Sequence, residues 1–237
     1  MKFTHLALAA FIGLSVSACA HTAVEPDGEL KPGTAWVAHS PEWAAEAEAV
    51  YAEATAYIDS VEGDLPDGSW AVILDLDETV MNNVAYQISR DLSGESYTPE
   101  SWHAWTQEEA ATLVPGAAEF IRHVNAAGGH IAFVTNRADA DQLATENNLL
   151  DLGLTRPDDF RVLLTRARPD GPSSKDGRYA LVPVMLAAQG YPDVEVIAYV
   201  GDNKHDQPSE PGEWAFFCID QGGMYGEFCA TVPGPGR

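Results

Sequence analysis

Four short apolar segments with helical patterns between them constrain the fold of this chain more than any other feature. They lie at residues 71–74, 131–134, 162–164 and 194–200. Each segment is apolar at successive positions instead of alternating, which is typical of parallel strands covered by helices on both faces. This alternation of strands and helices predicts an α/β fold built on a Rossmann-like, doubly wound parallel sheet.

The helical patterns between these segments have recognisable boundaries. We predict helices over residues 41–60, 99–111, 115–127, 138–152 and 174–189. Three of them begin with proline, in the first turn, where its missing N–H costs nothing. Pro183 lies inside the last one and should kink or interrupt it.

Polar and acidic residues follow the predicted strands. Asp75 and Asp77 follow the first, Thr135 and Asn136 follow the second, and the sequence GDNKHD at 201–206 follows the fourth. Ligands of such sheets bind beyond the carboxyl ends of the strands. Neighbouring carboxylates raise one another's pKa, and a hard cation such as Mg²⁺ relieves their repulsion. The sequence therefore predicts a metal site that includes Asp75, Asp202 and Asp206, and a carboxylate there can attack phosphorus.

Several stretches, in chain order, resemble the motifs of a known enzyme family. The stretch DLDETV at 75–80 resembles the first motif of the haloacid dehalogenase superfamily, and Thr135, Lys175 and GDNxxD resemble the later ones. Together with YTPESWHAW, VPGAAEFI, FVTNR and SSKDGR, they resemble the class C acid phosphatases over roughly residues 40–228. The C-terminal stretch CIDQGGMYG at 218–226 departs from that family's pattern.

The resemblance implies a role for each matching residue. Asp75 is expected to be the nucleophile, and Asp77 the general acid and then the base, with its backbone carbonyl on Mg²⁺. Asp202 is expected to bind the metal directly, and Asp206 to hold a metal-bound water or orient Lys175. The phosphoryl oxygens are expected to contact Thr135, Asn136 and Lys175.

Aromatic residues suggest where the leaving group of the substrate binds. A small cap is expected around residues 81–112, and Trp102 and Trp105 lie three apart in it, on one helix face. Tyr225 belongs to the stretch MYG at 224–226, which resembles the family although the residues before it depart from the family's pattern. These three aromatics can stack on a nucleobase, or they can be part of the core, since Trp is highly buried on average.

The composition narrows the range of partners. The formal charge of the 237-residue chain is −23, which argues against a nucleic acid polymer as partner because phosphate binding relies on basic patches. An anionic substrate therefore needs local positive charge at its site. The partner that we predict is a small phosphomonoester.

The N-terminus has the features of an export signal. Lys2 precedes an apolar run and then small residues up to Cys19. We predict a lipoprotein signal peptide over 1–18, because the stretch resembles a bacterial lipobox with Cys19 as the lipidated residue; an ordinary signal peptide is the alternative. A tether is predicted over 19–40 and the phosphatase domain over 41–237. The lipid anchor would place the protein in the bacterial cell envelope, at the outer membrane.

Cys218 and Cys229 can form a disulfide in an oxidising compartment, or they can be two buried free thiols.

The function that we predict is a Mg²⁺-dependent acid phosphatase for phosphomonoesters, including nucleoside monophosphates, with an aspartyl-phosphate intermediate. A phosphatase for sugar phosphates is one alternative. A non-catalytic binding lipoprotein of the envelope is another.

Overall fold

The structure is a computed structural model that describes residues 28–168, 170–225 and Cys229. Its strands are β1 Trp70–Leu74, β2 Met81–Asn82, β3 Thr112–Leu113, β4 His130–Ala138, β5 Val162–Arg166, β6 Glu195–Gly201 and β7 Ala215–Cys218. Within these residues, a parallel five-stranded sheet has the order β5-β4-β1-β6-β7. β2 and β3 form a separate antiparallel pair. The predicted α/β fold with a parallel sheet is confirmed.

Helices cover both faces of the sheet. They are α1 Pro32–His39, α2 Pro41–Val61, α3 Val84–Ser93, α4 Pro99–Gln107, α5 Ala117–Ala126, α6 Gln142–Asp151, α7 Asp176–Tyr179 and α8 Leu181–Ala188. Side chains of β1 alternate between two apolar clusters, with Val72 and Leu74 on the face of α2 and α5, and Ala71 and Ile73 on the face of α8. Because both faces are covered, β1 is apolar throughout and fully buried.

The predicted helix over 174–189 is interrupted, as its proline suggested. α7 ends at Tyr179 and α8 begins at Leu181, with Pro183 in the first turn of α8. Proline is tolerated in the first turn of a helix. In a continuous helix, however, its ring would clash with the carbonyl four residues earlier, at Tyr179.

The tether prediction is wrong for the part of 19–40 that the structure describes. Residues 32–39 form α1, in which Gly33, Thr34 and Val37 are buried against the domain. The Gly and Pro content suggested a linker, but here Pro32 occupies the first helical position and Gly33 allows close packing. Residues 1–18 and Cys19 lie outside the described residues.

Besides α1, the short pair of β2 and β3, helix α3 and strand β7 were not predicted. Strand β7 extends the sheet beyond β6, and helix α3 lies between β2 and β3 together with α4. The region predicted as a small cap, 81–112, thus contains β2, α3, α4 and the beginning of β3. No helix among the described residues has both the length and the apolar character needed to span a membrane.

Candidate active site

The loop after β1 is held in a fixed shape that presents Asp75 and Asp77 at the carboxyl end of the sheet. The Asp75 N–H donates to the Val200 carbonyl at 2.9 Å, which continues the pairing of β1 with β6. The Tyr51 hydroxyl donates to the Thr79 carbonyl at 2.6 Å. Glu78 has a φ of 60°, a left-handed conformation that turns the chain back toward β2. The two aspartates therefore lie on a turn whose backbone is hydrogen-bonded to the core.

Lys175 lies between two buried carboxylates at this end of the sheet. Its Nζ donates to Asp75 Oδ1 at 2.5 Å and to Asp206 Oδ1 at 2.6 Å, and all three side chains are buried. Burial alone lowers the pKa of Lys175, but attraction to Asp206 and Asp75 raises it above its ordinary value. Lys175 is therefore a permanent cation inside a protein of high negative charge.

Asp206 is fixed by the backbone of its own loop. Its Oδ2 accepts from the N–H groups of Asp202 and Asn203, both at 3.1 Å. A Cβ atom at Gly201 would lie 2.0 Å from Asp206 Cβ, so only glycine fits between β6 and this side chain. The loop after β6 thereby directs both Asp202 and Asp206 toward Asp75.

Carboxylate oxygens of Asp75, Asp202 and Asp206 all lie within 4.8 Å of one another. The pKa of Asp75 is raised to about 7, chiefly by burial and in part by the charges of Asp206 and Asp77, although the neighbouring Lys175 lowers it. The pKa of Asp202 is raised well above its usual value by burial and then by Asp206 and Asp75. An all-oxygen donor set with repelling charges fits a hard divalent cation. The Asp77 carboxylate contacts Arg137 and Asn83 and is not part of this cluster. The role predicted for its backbone carbonyl as a metal ligand stays a prediction.

The Asp77 carboxylate is held by Arg137 and Asn83. Arg137 Nε donates to Asp77 Oδ1 at 2.8 Å, its second terminal nitrogen lies 2.7 Å from the same oxygen, and Asn83 Nδ2 donates to it at 3.0 Å. Arg137 also donates to Asn83 Oδ1 at 3.1 Å and to Thr145 Oγ1 at 3.2 Å. Arg137 is 1% exposed, so it is a structural cation built into the site.

The predicted phosphate-binding residues lie at the end of β4. Thr135 is buried, and its Oγ1 accepts from the Arg137 N–H at 3.1 Å. Asn136 is exposed, and its Oδ1 accepts from Arg178 at 2.6 Å. The Arg178 guanidinium also donates to the Thr135 carbonyl. Arg178 therefore fixes the backbone and side chain of the two residues that are expected to contact the phosphoryl group.

Two cavities meet at Asn136. One, of about 640 Å³, is lined by Lys175 and Asp206, and the other, of about 360 Å³, is lined by Trp102, Tyr97 and Arg166. The first contains catalytic candidates, and the second is formed by the cap region, the end of β4, residues 140–141 before α6, and Arg166 at the end of β5. The cavity that contains the catalytic candidates is therefore adjoined by an aromatic pocket.

The structure separates the three aromatic residues predicted to contact substrate. Trp102 lines the aromatic cavity, with its ring 5.0 Å from that of Tyr86 in an edge-on arrangement. Tyr225 is 46% exposed and lines a different cavity of about 250 Å³ beside Asp202. Trp105 is 8% exposed in the core, and its indole N–H donates to Asn83 Oδ1 at 2.9 Å. The stacking role predicted for Trp105 is therefore wrong, because helix α4 turns it inward.

Cys218 and Cys229 are joined in a disulfide, with Cα atoms 5.7 Å apart. The bond links the end of β7 to the chain beyond Tyr225. The Cys229 N–H donates to Asp220 Oδ2 at 3.2 Å. The disulfide therefore closes a loop that contains Tyr225, and Tyr225 lines the same cavity as Asp202.

Arg137, Arg178 and Asn83 take part in the site but received no role from the sequence. Arg137 and Arg178 end two of the quoted stretches, FVTNR and SSKDGR, and this was the only signal in the sequence. Nothing local indicates that Arg137 pairs with Asp77, since 60 positions separate them.

Comparison with known proteins agrees with this geometry. Residues 6–215 match the family model of the HAD superfamily, subfamily IIIB (acid phosphatase). The structure of the class C acid phosphatase from Bacillus anthracis is similar, with 25% identity, a TM-score of 0.63, and coverage of 75% of this chain and 70% of that chain. The tungstate-bound structure from Bacillus anthracis has 24% identity and a TM-score of 0.61 with the same coverage, and it supports the fold.

Proposed function

The chain belongs to the acid phosphatases of HAD subfamily IIIB and is a phosphomonoester hydrolase, and we propose that it acts through an aspartyl-phosphate on Asp75 with Mg²⁺ as its cation. The observation that carries this proposal is the set of Asp75, Asp202 and Asp206 oxygens within 4.8 Å, next to Lys175. The alternative of a non-catalytic binding lipoprotein is excluded, because the members of this family are acid phosphatases.

The proposed reaction has two steps, each with one bond formed and one broken. An Asp75 oxygen attacks phosphorus while the bond from phosphorus to the leaving oxygen breaks, and Asp77 gives that oxygen a proton. Asp77 then takes a proton from water, the water oxygen attacks phosphorus, and the bond to Asp75 breaks to release phosphate. Two residues of separation on a tight turn allow the carboxylates to act on opposite sides of the phosphoryl group.

The residues around Asp75 would neutralise the charge of the transferring group. Asp75, Asp202 and Asp206 would hold Mg²⁺, which when bound supplies positive charge to phosphoryl oxygens. Lys175 would supply further positive charge, and Thr135 and Asn136 at the end of β4 would supply hydrogen-bond donors. Phosphoryl transfer depends mainly on such positioning and neutralisation.

The cation proposal is tested by metal removal. Hydrolysis of p-nitrophenyl phosphate should stop after EDTA treatment and return with added Mg²⁺. Activity that persists unchanged in EDTA, after dialysis against metal-free buffer, would contradict the proposal. Circular dichroism of the EDTA-treated protein is the control that shows the fold is intact.

We further propose that the leaving group is flat and aromatic, such as a nucleoside, because Trp102 and Tyr97 line the cavity next to Asn136. Ring stacking is tolerant of the base and is worth about 1–3 kcal/mol. Replacing Trp102 with alanine should lower kcat/KM for a nucleoside monophosphate about tenfold and leave that for a sugar phosphate unchanged. Equal losses on both, or a preference of the wild type for sugar phosphates, would favour the alternative substrate.

We propose that the protein is exported and anchored by lipid at Cys19 in the outer membrane. The supporting observations are the signal-like residues before Cys19 and the Cys218–Cys229 bond, which suits an oxidising compartment. Replacement of Cys19 by serine should move the activity from the membrane to the soluble fraction. Activity that stays in the membrane fraction would contradict lipid anchoring.

A further inference from the structure

Helix α1 lies between the two parts of the chain that carry the half-buried Trp102 and the exposed Tyr225. One contact is with residues 222–224, directly before Tyr225. A Cβ atom at Gly33 would lie 2.5 Å from the Met224 nitrogen, and one at Gly222 would lie 2.6 Å from Trp36 Cδ1. The backbone of α1 and the Tyr225 segment are therefore packed without space for a methyl group.

The opposite contact of α1 is with the cap region. Asp91 of α3 accepts from the Lys31 N–H at 3.0 Å and from Thr34 Oγ1 at 2.6 Å, and Lys31 Nζ lies 2.9 Å from its other oxygen. The Asp91 side chain is fully buried. Hydrogen bonds of this kind to a buried carboxylate are short and charge-assisted, so they fix α3 relative to α1.

Helix α3 in turn contacts the aromatic cavity. Tyr86 of α3 packs edge-on against the Trp102 ring, and its hydroxyl lies 2.8 Å from Ser101 Oγ of α4. A continuous chain of contacts thus runs from Tyr225 through α1 and α3 to Trp102. Between Met224 and Trp102 its links run through α1 and α3 and do not pass through Asp75 or Lys175.

We propose that Tyr225, from the cavity beside Asp202, contacts the leaving group together with Trp102, and that α1 is a positioning element that sets these two aromatic side chains relative to each other. The segment expected to be a tether is therefore part of the specificity apparatus. The proposal rests on the proposed aromatic leaving group and adds to it the residues that hold its binding surfaces in place. Gly33, Thr34 and Asp91 act through other residues and are positioning residues.

The substitution Gly33→Ala tests the proposal, because the added methyl must displace the backbone of Met224. We expect kcat/KM for adenosine 5′-monophosphate to fall about tenfold, a loss comparable to that of one stacked ring. The value for glycerol 2-phosphate, whose leaving group has no ring, should change less than twofold. The matched control is Gly63→Ala, since a Cβ at Gly63 meets nothing within 4 Å.

The outcomes separate the inference from the proposal on which it rests. A wild-type preference for the nucleotide that Gly33→Ala retains would overturn the inference alone. A wild-type enzyme with no preference would overturn both. Equal losses on the two substrates, with a lowered melting temperature, would show a merely structural role.

Should Gly33→Ala fail to fold, Thr34→Val provides the same test with a smaller change. It keeps the shape of the side chain and removes the hydroxyl that donates to Asp91. We expect at least a threefold loss on the nucleotide and none on glycerol 2-phosphate. An unchanged ratio of the two values would overturn the proposal.

Discussion

Replacement of Arg137 by methionine should separate the chemistry of leaving-group protonation from the rest of the reaction. The Arg137 guanidinium contacts Asp77, Asn83 and Thr145, and among the described residues it has no hydrogen bond or ion pair with Asp75 or Lys175. Methionine retains much of the apolar stem and removes the guanidinium. Asp77 then loses its charged partner and keeps only the hydrogen bond from Asn83, while Asp75 keeps its surroundings.

The size of the effect follows from burial. Removing one partner of a fully buried ion pair costs about 3–5 kcal/mol, because the other charge is left without compensation. Arg137 is 1% exposed, but the Asp77 side chain is 20% exposed, so water can partly replace the guanidinium. We therefore expect the free energy of unfolding to fall by about 2–3 kcal/mol, below the range for complete burial.

The kinetic effect should depend on the leaving group. A displaced general acid costs about 100-fold for an alkyl phosphate, whose alkoxide needs a proton to leave. The loss should be under about fivefold for p-nitrophenyl phosphate, because p-nitrophenolate leaves without protonation. The measurement is kcat/KM for both substrates, since this constant reports only the steps up to loss of the leaving group.

The control is Arg156→Met, which removes an exposed arginine paired with Glu146 at 2.9 Å. Exposed pairs contribute about 0–1 kcal/mol, so stability and both kinetic constants should be close to those of the wild type. Equal losses of kcat/KM on the two substrates of Arg137→Met would refute the reasoning. So would an unchanged rate in a destabilised protein.

Two further variants test other parts of the molecule. Asp75→Asn should abolish phosphatase activity while the circular dichroism spectrum stays the same, and near wild-type turnover would show that Asp75 is not the nucleophile. Asp91→Asn should lower stability by about 2 kcal/mol at pH 7. Burial raises the pKa of Asp91, but hydrogen bonds from Thr34 and Lys31 outweigh it and lower that pKa to about 2. This contribution is therefore complete above about pH 4 and is lost as the pH falls toward 2, so urea unfolding of the two proteins should converge there; a constant difference would contradict it.

The sequence alone predicted the strands of the central sheet at β1, β4, β5 and β6. The apolar runs of β1, β4 and β6 are mostly buried, as are Val162 and Leu163 of β5, so these runs are distinct from the helical patterns around them. Strand β7 is short and lies at the edge of the sheet. Its sequence AFFC was not recognised as a strand because it is not part of the alternation of strands and helices along the chain. Helix α1 was missed because a Pro-Gly start is typical of linkers as well as of first turns.

The residues of the site also differ in whether the sequence could predict them. The acidic residues at the strand ends could be predicted, because parallel strands bring their carboxyl ends to one edge wherever the strands lie in the sequence. Trp105 could not be assigned, because spacing on a helix fixes which residues share a face but not what that face meets.

What the sequence determined by itself was local: the apolar period, the turn residues, and the order in which Asp75, Thr135, Lys175 and Asp202 arrive at the edge of the sheet. The tertiary structure decided the pairings, such as Lys175 with Asp75 across 100 positions and Arg137 with Asp77 across 60. The reason is physical. Short-range propensities act within a few residues, whereas an ion pair is decided by which elements pack together and how much water they exclude.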